Sequence, residues 1–187
     1  MLSIKELMSE IINEKFDELS LNNPNTNDIF WKIKFFEGNA IGAIGEKFIK
    51  QIFINYQIDI DDDPTTILHD EYDIKSNGKK IEIKTARLGA NKTYQFNGIN
   101  PRYNHDLIIC IGISNNDINY HIFKKSDINY IHSNRQYTAK INDTKTLSLV
   151  EMNPGNSVNY KITINKKYMN ILDDNFPNII KSEISSI

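Results

Sequence analysis

Three charged side chains, Asp73, Glu82 and Lys84, have a spacing that would bring two carboxylates and an ammonium together on one hairpin. The pair Asn77-Gly78 between them predicts a two-residue turn, the strongest short-range hairpin signal. With that turn, strands over 66–75 and 79–86 place Asp73 directly opposite Glu82. Like charges in that position are destabilising and need a counterion. A hard divalent cation, held by carboxylate oxygens, would supply one.

Side chains alternate between the two faces of a strand, so the hairpin should have one apolar face and one charged face. The apolar face consists of Tyr72, Ile74, Ile81 and Ile83. The charged face consists of Glu71, Asp73, Lys75, Lys80, Glu82 and Lys84. On that face Lys84, expected opposite Glu71, could hold a water molecule or neutralise charge developing on a phosphate. The alternative is an ordinary solvated face, in which these charges have no chemical role.

The order Asp73, eight residues, Glu82-Ile83-Lys84 resembles the signature of the PD-(D/E)xK nuclease superfamily, although Tyr72 replaces its proline. The resemblance covers roughly residues 38–125. It implies a restriction-endonuclease-like core in which helices flank a mixed central sheet in αβββαβ order. It also implies that Asp73, Glu82 and Lys84 are catalytic. The small size of the chain makes it most similar to a type II restriction endonuclease.

The same resemblance implies one or two Mg²⁺ ions per active site, with Mn²⁺ as a substitute. The implied ligands are Asp73, Glu82, the backbone carbonyl of Ile83, and Glu46 on the preceding helix. Glu46 has its own alternative, an exposed helix acid near Lys47 and Lys50. The implied substrate is double-stranded DNA cut at a specific sequence by a homodimer, with a DNA methyltransferase as genetic partner. Two alternatives remain: a Holliday-junction or repair nuclease of the same fold, and a DNA-binding module without catalysis.

Residues 87–106 read as a long polar loop that follows the hairpin. Amide side chains suit adenine edges, and arginines suit guanine edges or phosphates. Seven side chains are therefore candidate DNA contacts: Arg87, Asn91, Lys92, Gln95, Asn97, Asn100 and Arg102. An ordinary solvated loop in an asparagine-rich chain is the alternative.

Hydrophobic periodicity predicts helices over 3–19 and 39–56, and the glycines at 38, 42 and 45 indicate close packing of the second helix. Strands are expected at 107–113, which is apolar throughout, at 120–125 and at 159–164, with a helix near 165–174. Together these elements indicate an α/β or α+β fold. We expect a single nuclease domain over 1–187, with the core at 38–125 and recognition or dimerisation elements at 126–187.

The composition sets limits on the class of protein. The net charge is −2, but residues 59–73 carry seven acids and no Lys or Arg, whereas 75–102 carry seven Lys or Arg and only Glu82 as an acid. Such a juxtaposition is compatible with metal ligands beside a polyanion site, and a solvated surface of mixed charge is the alternative. His69 could border that site or be a hydrogen-bonded surface histidine. The only cysteine, Cys110, excludes an internal disulfide. No apolar run approaches the roughly 20 residues of a membrane span, and we expect a cytoplasmic protein.

Overall fold

The computed structural model of the chain describes residues 2–19, 27–61, 71–153 and 158–187. Within these residues the α-helices are α1 (Ile4–Glu18), α2 (Gly38–Asn55) and α3 (Phe176–Ser185). The strands are β1 (Ile74–Ser76), β2 (Lys79–Arg87), β3 (Thr93–Ile99), β4 (Leu107–Ile113), β5 (Ile118–Lys124), β6 (Ile128–Ile131), β7 (Gln136–Asn142), β8 (Lys145–Ser148), β9 (Val150–Glu151), β10 (Tyr160–Asn165) and β11 (Asn170–Ile171). Short 3₁₀ helices lie at Trp31–Phe35, Lys125–Asp127 and Lys166–Tyr168.

The largest sheet has the strand order β1-β2-β4-β5-β11. It is mixed, because β2 and β4 are parallel whereas the other neighbouring pairs are antiparallel. Two three-stranded sheets, β3-β10-β9 and β6-β7-β8, complete the β-structure of the described residues. The predicted combination of helices with a mixed sheet is therefore confirmed. Strands β1 to β5 follow α2 with no α-helix between them, so the expected αβββαβ order is not confirmed.

The predicted hairpin is present, and its register is the expected one over three residue pairs. Ile74 pairs with Ile81, and Asn77 and Gly78 both have positive φ, at 48° and 76°. Two positive φ angles are what a turn that matches the strand twist requires. The carboxylate of Asp61 accepts hydrogen bonds from the N–H groups of both turn residues, at 3.0 and 2.5 Å. The turn chemistry therefore fixes which residues of β2 lie beside β1.

Two apolar clusters lie on opposite faces of the largest sheet. On one face Ile81, Ile83 and Ile109 pack with buried residues of α1, α2 and α3. On the other face Ile108 and Cys110 pack with buried residues of β3, β7 and β10. Strand β4 is buried along its whole length, as its sequence predicts. We call these the helix-covered face and the strand-covered face.

Three expectations about the elements are wrong. Residues 93–99 form strand β3 rather than a loop, with Tyr94 and Phe96 buried in the strand-covered face. The helix expected near 165–174 is replaced by a 3₁₀ helix and β11, and the last helix begins at Phe176, where Pro177 suits its first turn. Residues 71–73 are not in a strand, and 66–70 lie outside the described residues. In the described part of the chain, no helix is long and apolar enough to cross a membrane.

Candidate functional site

Strand β2 carries Glu82 and Lys84 on the strand-covered face, and they alternate along the strand with the buried Ile81 and Ile83 of the opposite face. The regular ladder with β1 ends at Ile74, so Asp73 is not in register opposite Glu82 as expected. Instead, the N–H of Asp73 donates to the carbonyl of Ile81 at 2.9 Å. The Ile83 N–H donates to Asp73 Oδ2 at 2.7 Å. Asp73 thus caps the edge of β2 beside the two charged residues.

Burial dominates the electrostatics of the acid pair. It raises the pKa of Glu82 to about 7, and Asp73 adds to this increase while Lys84 opposes it. Burial also raises the pKa of Asp73, against the effects of the Ile83 N–H and the Lys84 ammonium. Both acids therefore lack enough positive charge around them to ionise normally. A site that holds two such groups is a candidate for binding a cation.

Helix α2 brings Glu46 toward the same place. Burial raises the pKa of Glu46, and Asp73 is the next largest cause of this shift. The close approach of α2 to β2 depends on Gly45, where a Cβ would lie 2.8 Å from the Cβ of Thr85. Close packing is thus confirmed for Gly45, whereas a Cβ on Gly42 would meet nothing within 4 Å.

Lys84 forms an ion pair with Glu82, and both side chains are largely buried. The expected pairing of Lys84 with Glu71 is wrong, because Glu71 lies 3.6 Å from the Nζ of Lys80 instead. The shift follows from the end of the ladder at Ile74, after which the chain of β1 leaves the predicted register. Lys84 is therefore held among the acids of the site rather than on a solvated face.

A cleft of about 1010 Å³ opens beside Lys84, between the first turns of α2, the end of β2 and the exposed side of β3. Glu46 and Lys84 line it, as do Ile83 and four of the predicted DNA contacts: Arg87, Asn91, Gln95 and Asn97. Asp73 and Glu82 do not line the cleft. Gln95 Nε2 donates to Asn97 Oδ1 at 3.1 Å, and Arg87 Nη1 donates to the carbonyl of Lys34 at 2.5 Å.

Three predicted DNA contacts do not line this cleft. Asn100 is buried, and its side chain accepts the N–H of Arg102 at 3.0 Å. The Arg102 side chain is exposed, and the nearby Tyr137 raises its pKa. The carbonyl of Lys92 accepts a hydrogen bond from the N–H of Lys166. The side chain of Lys92 is exposed and does not line the cleft. The site therefore divides the seven candidates into two groups.

Carboxylate oxygens are the donors that Mg²⁺ and similar hard cations prefer. Asp73, Glu82 and Glu46 supply such donors, and burial raises the pKa of all three. The donor chemistry thus fits the cation. Among the described residues, however, no three His, Cys, Asp or Glu side chains lie close enough together to form a ready-made metal site. His69 lies outside the described residues.

Sequence reasoning missed two residues of this region, and it placed a third, Lys50, beside Glu46 only in the exposed-acid alternative. Lys50, one turn after Glu46 on α2, lowers the pKa of both Glu46 and Asp73. His105 is buried with no hydrogen-bond partner at either ring nitrogen, and burial lowers its pKa to about 4, with Lys125 and Lys84 adding to the effect. Gly98, in the Asn-Gly pair of β3, lies next to Lys84.

No protein-family model matches the chain, and no curated protein matches it at a significant level.

Proposed function

We propose that the protein is a Mg²⁺-dependent endonuclease that hydrolyses phosphodiester bonds of double-stranded DNA at a specific sequence, as a type II restriction enzyme does. The observation that carries the proposal is the group formed by Asp73, Glu82 and Lys84, of which Lys84 lines the cleft. Two desolvated acids and an ammonium lie together, and burial raises the pKa of both acids. This is the arrangement expected for a cation site beside a group that handles phosphate charge.

Each residue has a separate role in this proposal. Asp73, Glu82 and Glu46 would hold the cation, and the Ile83 carbonyl is a further candidate ligand. When bound, the cation supplies neutralisation of phosphate charge and activation of water. Lys84 lines the cleft, where its ammonium would orient the attacking water and stabilise charge that develops in the transition state. Its present pairing with Glu82 keeps it within reach of both tasks.

The residues that line the cleft favour a nucleic acid as the substrate. Among the described residues, its lining contains Arg87 and Lys84 against one acid, Glu46, together with amide side chains of the β2–β3 loop and of β3. Such groups can contact phosphates and base edges. A duplex target with two-fold symmetry would favour a homodimer, in which each subunit cuts one strand. Analytical sedimentation of the protein with and without DNA tests for this homodimer.

A DNA-binding module without catalysis is the second candidate. It is favoured by the existing partners of the two acids: Asp73 accepts the Ile83 N–H, and Glu82 pairs with Lys84. The lack of a ready-made metal site among the described residues points the same way. In this case the acids would only balance Lys84 at the wall of a binding cleft.

Cleavage assays separate the candidates. Plasmid and phage DNA incubated with the protein and Mg²⁺ should give discrete fragments, and EDTA should abolish them. Asp73→Asn should raise the metal requirement or eliminate cutting while the protein stays folded. Glu71→Gln is the matched control, because Glu71 is an acid of the same segment that pairs with Lys80 outside the site. Cleavage of branched DNA alone would indicate a junction nuclease, and a gel shift without cutting would indicate the binding module.

A further inference from the structure

Strand β3 contains a bulge beside the candidate site. Ile99 pairs with Tyr160 of β10 and Phe96 pairs with Ile162, so three steps along β3 match two steps along β10. The extra residue falls at Asn97-Gly98, and Gly98 has a φ of 74°. A glycine with positive φ is a recurring component of bulges, which often re-aim a side chain next to an active site.

The bulge places Gly98 of β3 beside the ammonium of Lys84. A Cβ built on Gly98 would lie 3.6 Å from Lys84 Nζ and would meet no other atom more closely. Gly98 also lines the cleft, with Gln95 and Asn97 on the exposed side of the same strand. Gly98 thus lies next to the ammonium of Lys84, on the strand that carries the candidate base contacts.

We propose that Gly98 is a positioning residue for Lys84, and that the bulge links β3 to the reacting end of the cleft. This inference rests on the proposed function for its catalytic consequence, but the contact itself does not. The ammonium of Lys84 has Glu82 as its ion-pair partner and Gly98 as its neighbour in β3. A Cβ at residue 98 would be in ordinary van der Waals contact with Nζ, and a larger side chain would compete for the space beside Nζ and change its direction.

The chain offers a matched control for backbone strain. Gly78 in the hairpin turn has a φ of 76°, close to that of Gly98, but a Cβ there would meet nothing within 4 Å. Gly78→Ala therefore introduces the same unfavourable φ without a group next to Lys84. Gly98→Asn complements it, because asparagine tolerates positive φ better than other non-glycine residues and should preserve the bulge.

The contact is tested by NMR on protein labelled with ¹³C-lysine, in which Lys84→Arg identifies the Lys84 Cε resonance. We expect this resonance to move in Gly98→Asn and Gly98→Ala and to stay in place in Gly78→Ala. Thermal unfolding of each variant shows which ones remain folded. A Lys84 resonance unchanged in Gly98→Asn would overturn the inference, whether or not the protein cuts DNA.

The catalytic consequence is tested by single-turnover cleavage beside DNA binding in Ca²⁺. In Gly98→Asn we expect the cleavage rate to fall at least about tenfold while DNA affinity changes by less than about threefold, because a positioning role affects the transition state more than binding. Equal losses of rate and affinity would assign Gly98 to DNA binding instead. If the parent protein does not cut, the proposed function fails, and the NMR result still decides the contact.

Discussion

The two faces of the largest sheet differ in the kind of β2 side chain that they bury. On the helix-covered face, Ile81 and Ile83 are buried among apolar residues of the helices. On the strand-covered face, Glu82 and Lys84 are largely buried as well, yet they are charged. The same strand therefore buries apolar groups fully on one side and ionisable groups largely on the other.

The difference shows which part of the fold has less conformational stability than apolar packing would give. A buried ion pair gains Coulomb energy but loses hydration, and an apolar pair of similar size is often as stable or more so. The raised pKa of Glu82 indicates that Lys84 does not compensate fully for burial. Charged groups kept under these conditions point to a functional requirement, whereas the isoleucines need no explanation beyond packing. The predictions below test this contrast.

The largest effect is expected at Lys84. Lys84→Ala should reduce single-turnover cleavage in Mg²⁺ by about 10²–10³-fold, the effect of removing one preorganised electrostatic group. Specific DNA binding in Ca²⁺ should be retained, because the ammonium acts mainly in the transition state. Lys80→Ala is the matched control: it removes a lysine of the same strand that pairs with Glu71. If Lys84→Ala cuts DNA as fast as the parent protein, the charged residues of the strand-covered face have only a structural role.

Glu82 and His105 should change the stability of the fold in opposite directions as the pH changes. The pKa of Glu82 is raised from 4.5 to about 7, so the native state retains a proton that the unfolded chain releases. Stability from this group is therefore present below about pH 4.5 and is lost as the pH rises to about 7. The pKa of His105 is lowered from 6.5 to about 4, so its contribution has the opposite sign and is lost as the pH falls through this range.

Unfolding in EDTA across pH 4–8 tests these signs. The free energy of unfolding of Glu82→Gln should exceed that of the parent increasingly with pH, by about 2–3 kcal/mol at pH 8. His105→Leu should lose less stability than the parent between pH 6.5 and 4. Differences between variant and parent are needed, because the two groups act in overlapping pH windows. A pH-independent difference for Glu82→Gln would show that Glu82 ionises normally in the fold.

Particular residues explain what the sequence could reveal. Asn77-Gly78 and the isoleucine alternation were sufficient for the hairpin, because turn type and side-chain period are local properties. The end of the ladder at Ile74 was not predictable, since it depends on the Asp73 carboxylate capping the Ile83 N–H. Strand β3 was missed because its exposed side is Gln, Asn and Gly. Its inward residues Tyr94 and Phe96 did carry the period of two.

The site shows the same division between local and tertiary information. Asp73, Glu82 and Lys84 could be grouped by their spacing, and Glu46 through the family resemblance. The contribution of Gly98 required knowing that β3 crosses next to Lys84, and that of His105 required knowing its burial. Whether Arg102 lines the cleft also depended on tertiary packing, which places it near Tyr137 instead.

The exposed side of β3 should determine sequence preference. Gln95→Ala or Asn97→Ala should lose discrimination at one base-pair position by about 1–2 kcal/mol, within the range for one amide–base contact. Arg87→Ala should weaken binding to all sequences alike and reduce the salt dependence, as expected for a phosphate contact. Arg102→Ala, outside the cleft, should bind and cut as the parent does. Recognition lies elsewhere if the Gln95 and Asn97 variants keep full discrimination.

The smallest effect is expected on the helix-covered face, where α2 approaches β2. Gly45→Ala gains about 1 kcal/mol of helix propensity, but the new Cβ would overlap Thr85 Oγ1 and lie 2.8 Å from Thr85 Cβ, and overpacking costs about 1–3 kcal/mol, occasionally more. The net result should be a loss of at least about 1 kcal/mol of unfolding free energy. Gly42→Ala, with open space around the new Cβ, should instead gain about 0.5–1 kcal/mol. Urea unfolding of the two variants measures this difference in sign directly. If both variants are stabilised, α2 does not need the close approach at Gly45, and the placement of Glu46 beside Asp73 would have to depend on other contacts.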